Sequence, residues 1–475
     1  MKQQIVTSIR KILPRPLVKM VEYSYRKLRA KIIAFRYGNP ARALKVIAVT
    51  GTNGKTTTVQ YMNEILKEAG HKTAMFSTST IEIAGQREAN ESHMTVGSVA
   101  QMQQFFAKAK KAKVNYVVME FASHAIDQHK LDGVPILMAI MTNLTQDHLD
   151  YHGTMKNYAA VKAKLFALQP KYIVLNRDDS WFDYYNNYSA SDQKITYGQH
   201  EDAETRIEYI KMYRKGSEAN ILIDHQTKLE LATALPGEFN VYNMTAAVAG
   251  AYLLGVSIDD ITEGVANLEA VPGRYEYVAN NRGHDIVVDY AHTPDGLEKL
   301  LQSARKLTKN RVILVFGATG DRDKDKRPTM GEIAAEYADR IMLTDEENYT
   351  EDAAGIRADV YKGIEAARGE PKTLELADRR AAIEKALSIA TKGDTVLITG
   401  LGHQTSRIVD GTSIQWSEVA VIKDILDKNP RQPRPAPLIK TDAQNEDSEE
   451  VKPAETDSVS TNTDDESGNS DEPSN

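Results

Sequence analysis

Short apolar runs rich in β-branched residues, each followed by a helical stretch, constrain this chain more than any other feature. "KVIAVTG", "NYVVMEFAS", "ILMAIMTNL" and "KYIVLN" fall between residues 45 and 200. Runs this short and continuously apolar read as parallel strands buried on both faces, and parallel strands require crossover connections. "TTTVQYMNEILKEAG" predicts the first crossover helix. The alternation predicts a doubly wound α/β sheet. Residues 205–234 switch to polar alternation, which predicts antiparallel hairpins, and "NVYNMTAAVAGAYLLG" predicts a helix after them.

"VPGRYEYV" at 271–278 reads as a linker. Beyond it, "HDIVVDYAH", "NRVILVFGATG", "DRIMLTD" and "DTVLITGLGH" predict four more strands separated by helices. A chain of 475 residues is too long for one hydrophobic core. The expected division is a basic segment at 1–44, a central domain at 45–271, a second α/β domain at 272–430 and an acidic tail at 431–475.

The two ends differ sharply from the middle. Residues 441–475 hold twelve Asp or Glu and one Lys, and no aromatic residue, a composition that predicts disorder. Residues 1–45 hold twelve Lys or Arg against one acid, Glu22. Charges and Pro14 and Pro16 interrupt every apolar run there, which excludes a signal peptide or a membrane span. Val18, Val21, Tyr25, Leu28 and Ile32 recur at helical spacing with Lys and Arg opposite. This predicts an amphipathic helix, either docked on the protein or in peripheral contact with an anionic membrane or a protein partner. Nucleic-acid binding is not expected, since the basic residues cluster in one segment without a recognised module. The chain has no cysteine, which excludes disulfides, thiolate metal sites and cysteine nucleophiles and suits a cytoplasmic location.

"VIAVTGTNGKTTTVQYM" at 46–62 places a glycine-rich turn between a strand and a helix. Free N–H groups at a helix start face any anion. Gly51 and Gly54 permit tight turns, Lys55 supplies positive charge, and Thr56 offers a hydroxyl for Mg²⁺. The usual phosphate loop, G-x-x-x-x-G-K-[ST], would need a glycine where Val49 stands. Glu120 follows one strand, Asn143 and His148 follow another, and Lys162 lies in a predicted helix, so four groups collect at the sheet edge where open α/β sheets bind ligands.

"TGTNGKTTT", "NLTQDHLDYHG", "LPGEFNVYN", "DYAHTPDGL" and "GATGDRDKDKRPTMG", in that order, resemble the Mur ligase family, ATP-dependent enzymes that extend the peptide stem of peptidoglycan precursors. That family's loop has the form G-T-N-G-K-T-T, as at Gly51–Thr57, without the leading glycine. "DYAHTPD" with "GDRDKDKRP" is most similar to the MurE type, which adds the third stem residue to UDP-N-acetylmuramoyl-dipeptide. The resemblance implies a central P-loop-type doubly wound ATPase domain followed by a second, Rossmann-like α/β domain.

Its site residues carry over position by position. Gly51, Thr52, Asn53, Gly54, Lys55, Thr56 and Thr57 would cradle ATP, with Asn240, Asn243, Arg274, Asp289, Tyr290 and His292 around it. Two Mg²⁺ ions would sit on Thr56, Glu120, His148 and Lys162, the lysine carried as an N-carboxylated (carbamate) side chain; Lys55, Glu120, His148 and Lys162 would be catalytic. Substrate contacts are expected at Ser123, Asp321, Lys324, Arg327, Glu346, Glu347, Asn348, Gly400, His403 and Gln404. The implied reaction activates a peptide carboxylate as an acyl phosphate, which an incoming amine then attacks.

The sequence departs from the family on the substrate side. The N-terminal UDP-binding domain is expected to be absent. Diaminopimelate-adding members carry D-N-P-R where Glu346–Glu347–Asn348–Tyr349 stand, so no arginine is there to clamp a distal carboxylate. Gln404 replaces a family glutamate, and "SHMTVGS" at 92–98 replaces a T-T-P spelling. Acidic Glu346 and Glu347 would suit a basic amino acid such as lysine. The rival readings are a ligase with another acceptor (poly-γ-glutamate, cyanophycin or folate type) and a non-catalytic nucleotide-binding scaffold.

Overall fold

A computed structural model describes residues 15–90 and 95–428 of the chain. The expected disordered tail, residues 1–14 and part of "SHMTVGS" lie outside the described residues.

One sheet has eleven strands, in the spatial order Thr227–Thr233, Gly216–Ile223, Thr205–Tyr213, Gln193–Gly198, Tyr172–Asn176, Ile136–Met141, Lys45–Thr50, Tyr116–Glu120, Thr73–Phe76, Thr80–Ile83 and Gln86–Ala89. Every pairing from Thr205–Tyr213 through Thr73–Phe76 is parallel. Antiparallel pairs close both edges. Lys45–Thr50 sits between strands that come later in the chain, so the order reverses there, and a crevice opens at the carboxyl ends of its neighbours. Val46, Ile47, Ala48 and Val49 are fully buried, which is why this strand reads as continuously apolar.

The second sheet has six strands, ordered Glu276–Tyr277, Asp285–Asp289, Thr395–Thr399, Val312–Phe316, Arg340–Leu343 and Thr373–Glu375. All its pairings are parallel except that of Glu276–Tyr277 with Asp285–Asp289. "VPGRYEYV", read as a linker, is instead structured: Val271 bridges Arg274, and Glu276–Tyr277 joins the sheet as its edge. Its few apolar residues gave no strand signal because a two-residue edge strand needs none.

Helix starts fix the pieces that reach the site. The helix Pro294–Leu307 begins with Thr293, whose hydroxyl accepts from Gly296 N at 3.1 Å, and with Pro at its first position. Thr154 caps the helix Met155–Phe166 that carries Lys162. The helix Arg15–Arg36 docks through Ala30 and Ala34, both buried, and through Tyr23, whose ring meets His129 edge-on at 4.1 Å. Of the expected apolar stripe, Val21, Tyr25, Leu28 and Ile32 are exposed and are not the docked face, while the side chain of Val18 lies outside the described residues. Small residues allow close helix approach, and the sequence pattern alone does not say which of two apolar faces is covered.

Candidate active site

The turn at residues 51–54 is shaped by close backbone contacts. Gly51 has φ 147° and Gly54 φ 85°, and a Cβ at Gly51 would lie 1.8 Å from Thr142 Oγ1. Asn143 brackets the turn: its side-chain oxygen accepts from Asn53 N at 2.9 Å, and its amide donates to Asn53 O at 3.1 Å. Thr52 N donates to Asn143 O at 2.8 Å. Lys55 Nζ donates to the carbonyls of Gly51 (3.1 Å) and Thr52 (2.7 Å), and burial lowers its pKa.

Glu120 is fully buried at the end of its strand. Its Oε1 accepts from Thr56 Oγ1 at 3.0 Å and from Thr78 N, while its Oε2 is buried without a partner. An orphaned carboxylate oxygen beside a threonine hydroxyl is a donor set for a hard divalent cation. Among the described residues, no three His, Asp or Glu side chains converge as a ready-made metal cage. A Mg²⁺ held by Glu120 and Thr56 would need its other ligands from phosphate, water or a further anionic oxygen.

Lys162 is buried, with Nζ 2.7 Å from Gly51 O and 4.7 Å from the Tyr158 ring centre. Burial, then the nearby Lys55 charge, holds its pKa well below the ordinary lysine range. His148 adopts the left-handed region at φ 55° and sits 3.2 Å from Asp147; burial pushes its imidazole down to about 3. Ser123 is buried against His152 Nε2 at 2.9 Å.

Elements of the second sheet close over this loop. Arg274 Nη2 donates to Thr56 Oγ1 at 3.3 Å while its guanidinium stacks on Tyr290 at 4.6 Å. Asn53 Nδ2 donates to Asp295 at 2.8 Å and Thr293 at 3.2 Å. His403 Nε2 lies 3.2 Å from the carbonyl of Thr78, the residue whose N–H caps Glu120. His292 Nδ1 sits 2.8 Å from Tyr290 O, and burial pushes its pKa to about 4. Asp289 accepts from the N–H groups of Tyr275 and Ala291, both at 2.7 Å, and burial raises its pKa.

A cavity of about 470 Å³ adjoins the turn, lined by Gly54, Thr57, Asn176, Asn243, Asp289 and Lys299 among others. Asn243 faces it; Asn240 stands behind, donating to Pro236 O at 2.8 Å and accepting from Asn243 Nδ2 at 3.3 Å.

The charged loop at 321–327 behaves differently from its sequence reading. Arg327 is fully buried and held by Glu351 (2.8 Å) and Asp359 (3.1 Å), and exposed Lys324 also pairs with Glu351 at 2.6 Å. Asp321 accepts from Thr350 N and Oγ1 at 2.9 and 2.7 Å. The cation of this loop that reaches the site is Lys326, buried 3.3 Å from Asp147. Sequence reasoning missed both partners, although Asp147 adjoins His148 and Lys326 stands between two chosen positions.

Glu346 accepts from Gly317 N at 3.2 Å and Thr319 Oγ1 at 3.3 Å, and a Cβ at Gly400 would lie 2.0 Å from its Oε1. Glu347 accepts from Ile408 N at 3.0 Å and Tyr349 OH at 3.3 Å. Asn348 bonds Asp410 at 2.7 Å and Glu351 O at 2.9 Å. Gln404 Oε1 is buried without a partner. Arg322 stacks on Tyr349 at 4.7 Å, a second cation that sequence reasoning passed over.

Family models match the chain twice: a Mur ligase middle domain over residues 49–251, and a Mur ligase glutamate ligase domain over residues 273–402. A UDP-N-acetylmuramoyl-L-alanyl-D-glutamate–2,6-diaminopimelate ligase from Geobacillus kaustophilus is 39% identical over 86% of this chain and 83% of its own. The chain belongs to the Mur ligase family. It is an ATP-dependent carbon–nitrogen ligase. This Mur ligase is 38% identical to the enzyme of the same name from Clostridium botulinum, over 84% and 82% of the two chains. A solved diaminopimelate ligase aligns with TM-score 0.56 at 32% identity, covering 81% of this chain and 78% of that one. A folylpolyglutamate synthase from Mycobacterium tuberculosis aligns at TM-score 0.66 but 17% identity, over 88% and 100%, which is a likeness of fold. Mur ligases use ATP and Mg²⁺, and the Glu120–Thr56 pair described above fits that cation.

Proposed function

We propose that this ligase extends the peptide carboxylate of UDP-N-acetylmuramoyl-dipeptide by one amino acid in the cytoplasm, forming an acyl phosphate from ATP and releasing ADP and phosphate. The observation that carries the reading is the unpartnered buried Glu120 Oε2 beside Thr56, at the mouth of a glycine turn that Arg274 closes from the other sheet. Mg²⁺ held by Thr56 and Glu120, with a second ion toward His148 and Lys162, would neutralise the charge that spreads over the transferring phosphoryl group.

The chain's own residues do the rest. The cavity beside Gly54 receives the nucleoside end, and Asn243 and Asp289 line it. Lys55 and the helix start hold the phosphates. Lys162, with its pKa depressed, offers a free amine to carbon dioxide; addition forms a carbamate and releases a proton. That converts a buried neutral amine into an anionic oxygen ligand, which a hard metal accepts. Arg274, Asn53 and His403 tie the two sheets together across the loop and so exclude water from the acyl phosphate. At the acceptor end the carboxylates of Glu346 and Glu347 have partners within the protein, and Arg322 lies against Tyr349.

Labelling the peptide carboxylate with ¹⁸O tests the route. One ¹⁸O atom is expected in the released phosphate, read as an isotope shift in ³¹P spectra. Unlabelled phosphate accompanying product would rule out the acyl phosphate.

A further inference from the structure

The helix Arg15–Arg36 presents two unlike faces. Ala30 and Ala34 are buried, and Ala34 faces Gly133, whose added Cβ would lie 3.8 Å away. On the opposite side Val21 is 53% exposed, Tyr25 62%, Leu28 59%, Ile32 50% and Phe35 76%. Their spacing of four, three, four and three residues keeps them in one row along the helix. A row of five large apolar side chains in water is a patch that monomeric proteins rarely leave unused.

Charge decides what covers it. The helix carries seven Lys or Arg and one acid, and that acid, Glu22, pairs with Arg26 at 3.4 Å. At about 100° per residue, Lys27 and Lys31 fall on one flank of the apolar row and Arg29 and Arg36 on the other. All four are exposed. We propose that this face is a docking surface for an anionic lipid bilayer, with the apolar row at the acyl boundary and the flanking cations among acidic headgroups.

A second copy of the helix fits the row less well, because pairing would bring Lys and Arg flanks together without acids to meet them. The acidic residues 441–475 match the charge but contain no Leu, Ile, Met or aromatic residue to cover the row. No helix among the described residues is long and apolar enough to cross a membrane, so contact is at the surface. The docked face is tied to the site's own segment: Tyr23 packs on His129, nine residues beyond Glu120. The interaction with a bilayer needs no nucleotide.

Flotation of the full chain with vesicles tests this without ATP. Vesicles of phosphatidylcholine mixed with phosphatidylglycerol are expected to carry the protein, and phosphatidylcholine alone is not. Raising salt weakens binding. Leu28→Ser with Ile32→Ser, and separately Lys27→Glu with Lys31→Glu, are each expected to lower the bound fraction about tenfold or more. All four positions are exposed, so thermal unfolding and ligase turnover stay as in the unmodified chain. Absence of flotation, equal flotation on both vesicle types, or full binding by the serine variant overturns the proposal. So does a lipid-free dimer in sedimentation that the serine variant dissolves, which would assign the row to a second copy.

Discussion

Asp147 and Lys326 form a buried ion pair at 3.3 Å that joins the loop after one sheet to a helix packed on the other. His148 Nε2 (3.2 Å) and His292 Nε2 (3.9 Å) also face the Asp147 carboxylate, whose pKa the Lys326 charge lowers against the effect of burial. Lys326→Met leaves a carboxylate buried without its cation. A loss of about 3–5 kcal/mol is expected, read by urea unfolding. Adding Asp147→Asn recovers part of it, because no charge is then stranded; an additive double variant would show that the two residues do not interact.

The glycine turn makes a steric prediction. Gly51→Ala sets a Cβ 1.8 Å from Thr142 Oγ1 at φ 147°, and Gly54→Ala sets one 2.1 Å from Asn243 Oδ1 at φ 85°. Each forces the loop open in a backbone region that only glycine tolerates well. ADP affinity measured by calorimetry is expected to fall about tenfold or more, on the order of 1.4 kcal/mol.

Lys162 predicts both a spectrum and a rate. With ¹³C-bicarbonate, a carbamate signal is expected in the unmodified chain and not in Lys162→Ala. Turnover in Lys162→Ala falls about a hundredfold or more, the scale of losing an electrostatic group at a phosphoryl centre. Full turnover without the signal would remove the carbamate from the account.

His292 gives a pH dependence. Burial, then the Lys326 charge, pushes its pKa down to about 4, with Asp147 opposing and Arg274 adding to the shift. The unfolded chain therefore binds the extra proton first, and stability falls as pH drops from about 6.5 toward 4. His292→Asn is expected to flatten that part of the melting profile by up to about 3 kcal/mol. An unchanged slope would place the titration elsewhere.

The sequence exposed what burial on both faces makes visible. Ile47, Val118 and Val174 lie in strands that read as unbroken apolar runs because no side faces water. Gln86–Ala89 is exposed along its length and left no such trace. Positions at the site were legible where strand ends dictate them, as with Glu120 beside Thr56. Lys324, Lys326 and Arg327 were not distinguishable, since the start and phase of the helix Lys326–Tyr337 decide that Lys326 meets Asp147 while Arg327 is buried against Glu351 and Asp359. The same ambiguity hid the two faces of the first helix, where Ala30 and Ala34 proved to be the docked side.

The most direct test of the central claim is ADP release by the full chain with Mg²⁺, bicarbonate and UDP-N-acetylmuramoyl-dipeptide. Lysine, ornithine, diaminopimelate and glutamate would be compared, with Lys162→Ala as control. The account predicts release that depends on one amino acid and is lost in the control. Release that ignores the amino acid, or none with any of the four, would contradict it.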